Sequence, residues 1–370
     1  MRYSAGQRLY QCSEHDGRHH EVERHGGPQR AEILDSERVP VIDSLRGLAA
    51  LAVALFHFSV GNTEFYAPPI LKSIGGFGFY GVDVFFVISG FILPWSLWRA
   101  GYQLNAGTFR RFLWKRVVRI EPSYLITILL VVLLAWLSTL VPGYRGQPFR
   151  LDLAQIGWHL GYLTPLVHQQ WLNPVFWTLA VECQFYVLIA VVYPLIASPR
   201  RGVRLGAVAV LLAASFWRPA DAALTSQLAQ FVIGIAVFQF TARVSSAKET
   251  MLVLLSAAGM VYTGLGAGSM VVCLGTAGVI VFAPMWVGAG LARPALSFFG
   301  TISYSLYLIH VPIGGRIINL AQRLPRSNFT SLVAILVAGL VSVGAAYALY
   351  RLVERPAQRY AGSLRFGGRD

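Results

Sequence analysis

Charge is scarce in this sequence. Asp, Glu, Lys and Arg make up 13% of its 370 residues and hydrophobic residues 55%, with a mean hydropathy of +0.55. That balance excludes a water-soluble globular domain and fits a polytopic membrane protein. Acidic residues are scarcest, 17 against 31 Lys and Arg. In a soluble protein the resulting net charge of +14 would point to nucleic acid, but no basic module interleaved with aromatics is present, so nucleic acid is not an expected partner. The arginines sit instead between apolar runs, where they set topology and meet anionic lipid head groups. Cysteine is equally sparse: Cys12, Cys183 and Cys273 are scattered, with neither a disulfide framework nor zinc spacing. The sequence also lacks an internal repeat, a hydrophilic block large enough for a second domain, and a signal-peptide core near its start.

Residues 1–38 are polar, carry both signs of charge and read as a disordered cytoplasmic tail. Cys12, His15, Asp16, His19, His20 and His25 resemble a ligand set, but Gly17, Gly26, Gly27 and Pro28 oppose the helix that would assemble it. No metal is expected. Beyond the tail, apolar runs recur at about 42–60, 76–97, 121–141, 177–197, 205–219, 224–240, 250–266, 268–288, 297–315 and 329–352. The expected fold is all-α: one transmembrane helix bundle over 39–357, with about ten spans, both termini cytoplasmic, and a short basic tail at 358–370. Basic residues at 99–119, 200–204, 243–248 and 293 then fall on the inner side, as the positive-inside rule requires. Arg316, Arg323 and Arg326 fall on the outer side against it. The stretch 153–167 is apolar enough to be re-entrant or interfacial; were it to span, the topology beyond it would invert.

The polar groups inside the spans are few enough to take one by one. Arg46 and His57 stand eleven residues apart in the first span, close to three turns, so they share a face roughly 16 Å apart along the axis. Ionisable groups within spans usually face a bundle interior or a water-filled path, although a boundary arginine also snorkels to phosphates and a lone histidine is often a packing residue. Asp83 and Ser89 sit in the glycine-bounded run 81–90, and Glu182 sits in the fourth span with Gln184 and Tyr186 nearby. By residue count His57, Asp83 and Glu182 lie at similar depth, which predicts a carboxylate beside the imidazole, either to orient a general base or as a structural ion pair. In the ninth span Ser303, Tyr304, Tyr307 and His310 offer donors to a polar ligand or an oxyanion, unless the tyrosines merely belt the interface. Arg116 and Arg119, one turn apart on the inner side, make a fork suited to phosphates, a composition that a generic inner loop shares.

In this order the pieces resemble acyltransferase family 3, the integral membrane acyltransferases. The motifs are Arg46 and His57 with ten residues between, the Gly-Val-Asp and double-Phe segment from Gly81, Arg116 and Arg119 followed by Pro122 and Tyr124, Trp177 to Tyr186, Ser303 to Pro312, and Glu354-Arg355-Pro356. Cys183 stands where many members carry a second glutamate. The resemblance implies an enzyme transferring acyl groups other than aminoacyl groups, an O-acetyltransferase of the bacterial inner membrane in a stand-alone form without the esterase-like domain of some members. It implies acyl-CoA, acetyl-CoA first, as donor substrate and no permanently bound cofactor. The implied acceptor is a hydroxyl of a carbohydrate, such as an exopolysaccharide, or of a lipid-linked cell-envelope intermediate. His57, Glu182, Asp83 and Arg46 are then the expected catalytic groups, Arg116 and Arg119 the donor-binding ones, and Ser303, Tyr304, Tyr307 and His310 the acceptor or oxyanion contacts. A transporter or acyl-group flippase, or a non-catalytic scaffold of a polysaccharide assembly complex, would use the same buried charges differently.

Overall fold

A computed structural model describes residues 40–61, 65–142, 149–150, 152–167, 169–282 and 294–364. The tail at 1–38, with its cysteine and histidines, lies outside the described residues, as do residues 365–370 of the short tail at 358–370. Among the described residues every regular element is helical. In chain order these are α1 (Pro40–Ser59), α2 (Pro69–Gly76), a 3₁₀ turn (Phe77–Tyr80), α3 (Gly81–Arg99), α4 (Ala106–Thr139), α5 (Leu153–Leu160), α6 (Phe176–Ile196), α7 (Arg201–Ala214), α8 (Leu224–Thr241), α9 (Ala247–Leu265), α10 (Ala267–Val281), α11 (Pro294–Ile309), α12 (Gly315–Ala321), α13 (Asn328–Leu349) and α14 (Arg355–Ser363).

Among the described residues, each of the ten expected runs lies on a helix. Seven segments are long and apolar enough to cross a membrane, while α7, α9 and α10 fall outside that set. The protein is a multi-pass integral membrane protein. The stretch 153–167 forms only the eight-residue α5 and a 3₁₀ turn, about 12 Å of helix, too short to cross. The basic connector and third span expected as separate pieces are one 34-residue helix, α4. It starts where it does because the Asn105 side chain accepts from the Thr108 N–H at 3.0 Å while Thr108 Oγ1 accepts from the Asn105 N–H at 3.2 Å, a reciprocal cap. Arg116 and Arg119 therefore ride on a rigid helix rather than a loop.

Helix burial separates centre from rim. The apolar window of α8 is 78% buried, whereas those of α4 and the α13–α14 segment are 28% buried and expose Leu129, Leu340 and Leu352 as lipid-facing surface. Glycines set the closest packing: a Cβ on Gly90 of α3 would come within 2.2 Å of the Phe231 carbonyl oxygen of α8, and one on Gly234 within 2.2 Å of the Val87 oxygen, so these backbones touch as in small-residue membrane interfaces. Gly47 of α1 and Gly300 of α11 do the same. A Cβ on Gly47 would meet the Gly300 nitrogen at 2.6 Å. These glycines are 253 residues apart in sequence, the same offset that separates His57 from His310, which touch ten residues further along both helices. Hence α1 and α11 run parallel and in register. Parallel alignment needs an odd number of crossings between them; the four intervening long segments supply an even number, and counting the three shorter helices makes it seven.

Two helices widen into single π turns, His310–Gly314 between α11 and α12 and Tyr350–Glu354 between α13 and α14. Such turns recur at functional sites, and both fall on residues of the motifs read from sequence.

Candidate active site

Two polar clusters lie at opposite ends of α1. At one end the His57 Nδ1–H donates to the Val53 carbonyl at 2.9 Å, one turn back in the helix. His310 does likewise, its Nδ1–H donating to Leu306 O at 3.0 Å. A carbonyl accepts only, so both Nδ1 atoms carry the proton, and the neutral His310 Nε2 is left as an acceptor. It lies 3.2 Å from His57 Nδ1. The His57 N–H is thus shared between a carbonyl and a second imidazole, which fixes the tautomer and leaves His57 Nε2 with its lone pair unused by either bond. Fully buried His310 is held in turn by Phe58 and Tyr307 rings at 6.1 and 5.9 Å. His57 lines a cavity of about 390 Å³ together with Leu172, Asn173, Val131, Pro312 and Arg316.

Leu172, Asn173 and Pro174, from the segment before α6, line the same cavity as His57. His159 of α5, fully buried, donates from Nδ1 to Gln155 O at 2.8 Å and accepts the Leu172 N–H on Nε2 at 3.0 Å. Burial holds the His159 pKa below its ordinary value, against the pull of the Gln155 bond, as a neutral ring that accepts a hydrogen bond requires. Next along, Asn173 Nδ2 donates one hydrogen to Leu308 O of α11 at 2.8 Å; its second amide hydrogen is a candidate donor to the cavity that Asn173 lines.

At the other end Arg46, Arg116 and Arg119 interact electrostatically with one another and with Glu182 and Glu354. These couplings bring three guanidinium groups and two carboxylates to one end of α1. Arg116 is fixed by Ser96 Oγ at 3.2 Å and by the rings of Phe112 and Tyr186, 5.2 and 5.8 Å from its Cζ. Glu182 accepts from the Tyr186 hydroxyl at 2.6 Å and from Ser89 at 3.4 Å. Buried Glu354 accepts from Ser305 of α11 and from Gln358 at 2.8 Å. Between the two clusters the Thr178 hydroxyl donates to Val175 O at 3.0 Å and so receives the Tyr307 hydroxyl at 2.8 Å. The Tyr307 ring lies against His310, and Thr178 stands one turn before Glu182 on α6, so these two side chains lie between the histidine and arginine ends.

The structure places the expected site residues differently from the sequence in two respects. No carboxylate orients His57 through a hydrogen bond among the described residues: Glu182 is bound at the arginine end, and Asp83, 4% exposed, accepts from Gln230 Nε2 and so ties α3 to α8. His310 occupies that position instead. The hydroxyls expected as oxyanion donors are also engaged, Tyr304 with Ile120 O at 3.0 Å, Ser303 with Gly300 O at 2.8 Å, and Tyr307 with Thr178. Asn173 and Arg316 in the cavity, and Glu354 with the arginines, were not among the expected site residues. The signals for them were an Asn-Pro at a span entrance, an arginine that the expected topology puts on the outer side against the charge rule, and the glutamate of the Glu-Arg-Pro motif. Among the described residues no group of three or more potential ligands gathers to hold a metal.

A family model described as an acyltransferase domain, acyltransferase family 3, matches residues 39–351. This chain belongs to that family. It is similar to the membrane-bound transacylase BcsY of Komagataeibacter xylinus, 28% identical over 309 residues that cover 73% of this chain and 72% of that protein. It is also similar to the O-acetyltransferase OatA of Staphylococcus aureus, 28% identical over 172 residues, and to the acyltransferase MdmB of Streptomyces mycarofaciens, 30% identical over 168 residues. The match covers 44% of this chain and 26% of OatA, and 43% of this chain and 40% of MdmB. No solved structure matches the chain. Family membership makes it a membrane O-acyltransferase, and the transporter and scaffold readings give way to an enzyme.

Proposed function

We propose that this enzyme of the bacterial inner membrane moves an acetyl group from acetyl-CoA to a hydroxyl of a cell-envelope carbohydrate, with His57 as general base. The reading rests on the His57–His310 pair, which holds His57 in the tautomer a base requires and sets it in the wall of a cavity. The acceptor hydroxyl gives its proton to His57 Nε2 as its oxygen attacks the thioester carbonyl. His310 Nε2 strengthens its hold on the His57 N–H as the imidazolium forms, because hydrogen bonds to charged groups are about twice as strong as neutral ones. The second amide hydrogen of Asn173 is the donor we assign to the tetrahedral oxyanion. Collapse breaks the C–S bond, and the departing thiolate takes the proton back from His57.

The donor's phosphates bind Arg116 and Arg119, with Arg46 at the inner end of the same helix that carries His57. The roughly 16 Å rise between Arg46 and His57 requires an extended arm to carry the thioester inward from the phosphates, as the pantetheine of CoA does. The test is release of CoA thiol from acetyl-CoA by the purified protein in nanodiscs, wild type against His57→Ala. Release by wild type that disappears in a folded His57→Ala variant supports the reading; equal release by both refutes it.

A further inference from the structure

A groove of about 400 Å³ runs between α6, α7 and α8. Leu211 and Leu228, which line it, are buried, whereas Leu195, Val203 and Val210 are exposed, so the groove opens on the lipid-facing surface. Among its described lining residues Thr225 alone carries a polar side chain. A saccharide or nucleotide seated there would leave most of its polar groups unpaired, a cost that hydrocarbon does not incur. Along α7 the lining extends from Val203 to Ala214, roughly 16 Å of rise. Gly206 keeps it open, since a Cβ there would meet nothing within 4 Å. That is the course of a lipid acyl chain laid beside a helix.

One end of the groove is basic. Leu195 lies in the last turn of α6 and Val203 in the first turn of α7, so the connection between them, with Arg200 and then Arg201, closes that end. Glu249 pairs with Arg201 at 2.8 Å and with buried Arg204 at 2.6 Å, which sets the start of α9, with Lys248, beside the start of α7. Arg200 and Lys248 are exposed and have no ion-pair partner among the described residues, and Arg201 keeps 71% of its side chain exposed. Basic pockets between membrane helices recognise anionic lipid head groups, and the first turn of α7, which has no side-chain cap, adds its own N–H groups.

We propose that the groove binds one anionic phospholipid, with an acyl chain lying along α7 between α6 and α8 and the phosphate against Arg200, Arg201 and Lys248. The site lies apart from the His57 cavity and does not depend on the acyltransfer reading. It also accounts for α7 itself: about 21 Å long, this helix is too short to cross a hydrocarbon core of about 30 Å, and the bound chain packs the space between it and its neighbours.

The experiment is native mass spectrometry of the full chain in detergent, titrated with phosphatidylglycerol or with phosphatidylcholine carrying the same acyl chains. Wild type should bind its first phosphatidylglycerol about tenfold or more tightly than its first phosphatidylcholine. Gly206→Leu, which fills the groove where a side chain has room, should weaken phosphatidylglycerol about fivefold or more. Arg200→Gln combined with Lys248→Gln should bring the two lipids within about twofold of each other, while Gly259→Leu on the exposed side of α9 and Arg326→Gln should change neither affinity. Added phosphatidylglycerol should also raise the melting temperature of wild type and not that of Gly206→Leu. Equal affinity for the two lipids in wild type overturns the proposal, as does phosphatidylglycerol affinity that survives in a folded Gly206→Leu. Displacement of the bound phosphatidylglycerol by equimolar palmitoyl-CoA would make the groove a seat for an acyl donor and overturns it too. If Gly206→Leu does not fold, the double variant at exposed Arg200 and Lys248 decides: a preference for phosphatidylglycerol that persists there refutes the assignment.

Discussion

Replacing His310 with leucine tests the division of labour between the two histidines. The change removes the Nε2 acceptor that lies 3.2 Å from His57 Nδ1, but the Val53 carbonyl at 2.9 Å remains to hold the His57 N–H. His57 therefore keeps its tautomer and its base. What is lost is a hydrogen bond that strengthens when His57 becomes charged, worth about 1.5–3 kcal/mol, or roughly a 10- to 150-fold fall in kcat at 1.36 kcal/mol per decade. The KM for acetyl-CoA should stay within about twofold, because the arginines we assign to its phosphates sit at the other end of α1. His310→Gln, which can offer an amide oxygen to the same N–H, should recover part of the rate. The assay is steady-state CoA release in nanodiscs, with thermal unfolding run alongside, since the Leu306 carbonyl also loses its side-chain partner. A His310→Leu enzyme that works within threefold of wild type would refute the reasoning. So would one as inactive as His57→Ala while still folded, because His310 would then be the reacting group. In a double-mutant cycle, adding His310→Leu to His57→Ala should cost no further activity.

Removing either donor arginine separates phosphate recognition from chemistry: Arg116→Gln or Arg119→Gln should raise the KM for acetyl-CoA about tenfold or more while leaving turnover of S-acetylpantetheine, which lacks the nucleotide, nearly unchanged. Gly300→Ala would place a Cβ 2.2 Å from the Asp43 carbonyl oxygen, a contact between backbones that no rotamer change relieves; a loss of about 1–3 kcal/mol should appear as a lower melting temperature in detergent, whereas Gly259→Ala, with nothing within 4 Å, should leave it unchanged. Burial holds the His159 pKa below its ordinary 6.5, so the unfolded chain binds that proton more readily and the stability His159 contributes is lost as pH falls from about 6.5 toward the lower folded value. The protection factor of the peptide carrying Leu172, its hydrogen-exchange rate corrected for the intrinsic pH dependence, should therefore fall below pH 6.5 in wild type and show no such step in His159→Asn.

Much of the fold was legible because hydropathy marks helices that face lipid. The ten apolar runs fell on helices for that reason, and Arg46 and His57 share α1 because eleven residues nearly close three turns. Depth was less legible. Counting residues from span ends put Asp83, Glu182 and His57 level, but a side chain's partner is set by the facing helix, and those partners lie far off in sequence: Gln230 for Asp83, 147 residues away, and His310 for His57, 253 away. The signal for the first was present in the glutamines of α8, Gln227, Gln230 and Gln239, all buried in the most enclosed helix. For the second, His310 stood out as a polar residue, but pairing it with His57 required knowing that α1 and α11 pack parallel and in register, as the close approach of Gly47 to Gly300 ten residues earlier on both helices shows, and nothing local signals it.

That pairing also makes packing part of the chemistry. α1 carries Arg46 and His57, while α11 carries Gly300 at the arginine end, Ser305 bonded to Glu354, and His310 at the histidine end. The two helices form one spine that spans both clusters, and its register is fixed where backbones touch. Because successive residues on a helix rise 1.5 Å, a slip of a single residue between α1 and α11 would stretch the 3.2 Å bond between the histidines beyond hydrogen-bonding range while leaving each cluster's remaining contacts largely intact. A substitution at the glycine contact should therefore depress kcat before it unfolds the bundle, and the ratio of lost rate to lost melting temperature should be larger for Gly300→Ala than for an equally destabilising change at Gly90, whose contact holds α3 against α8 and does not set the histidine register.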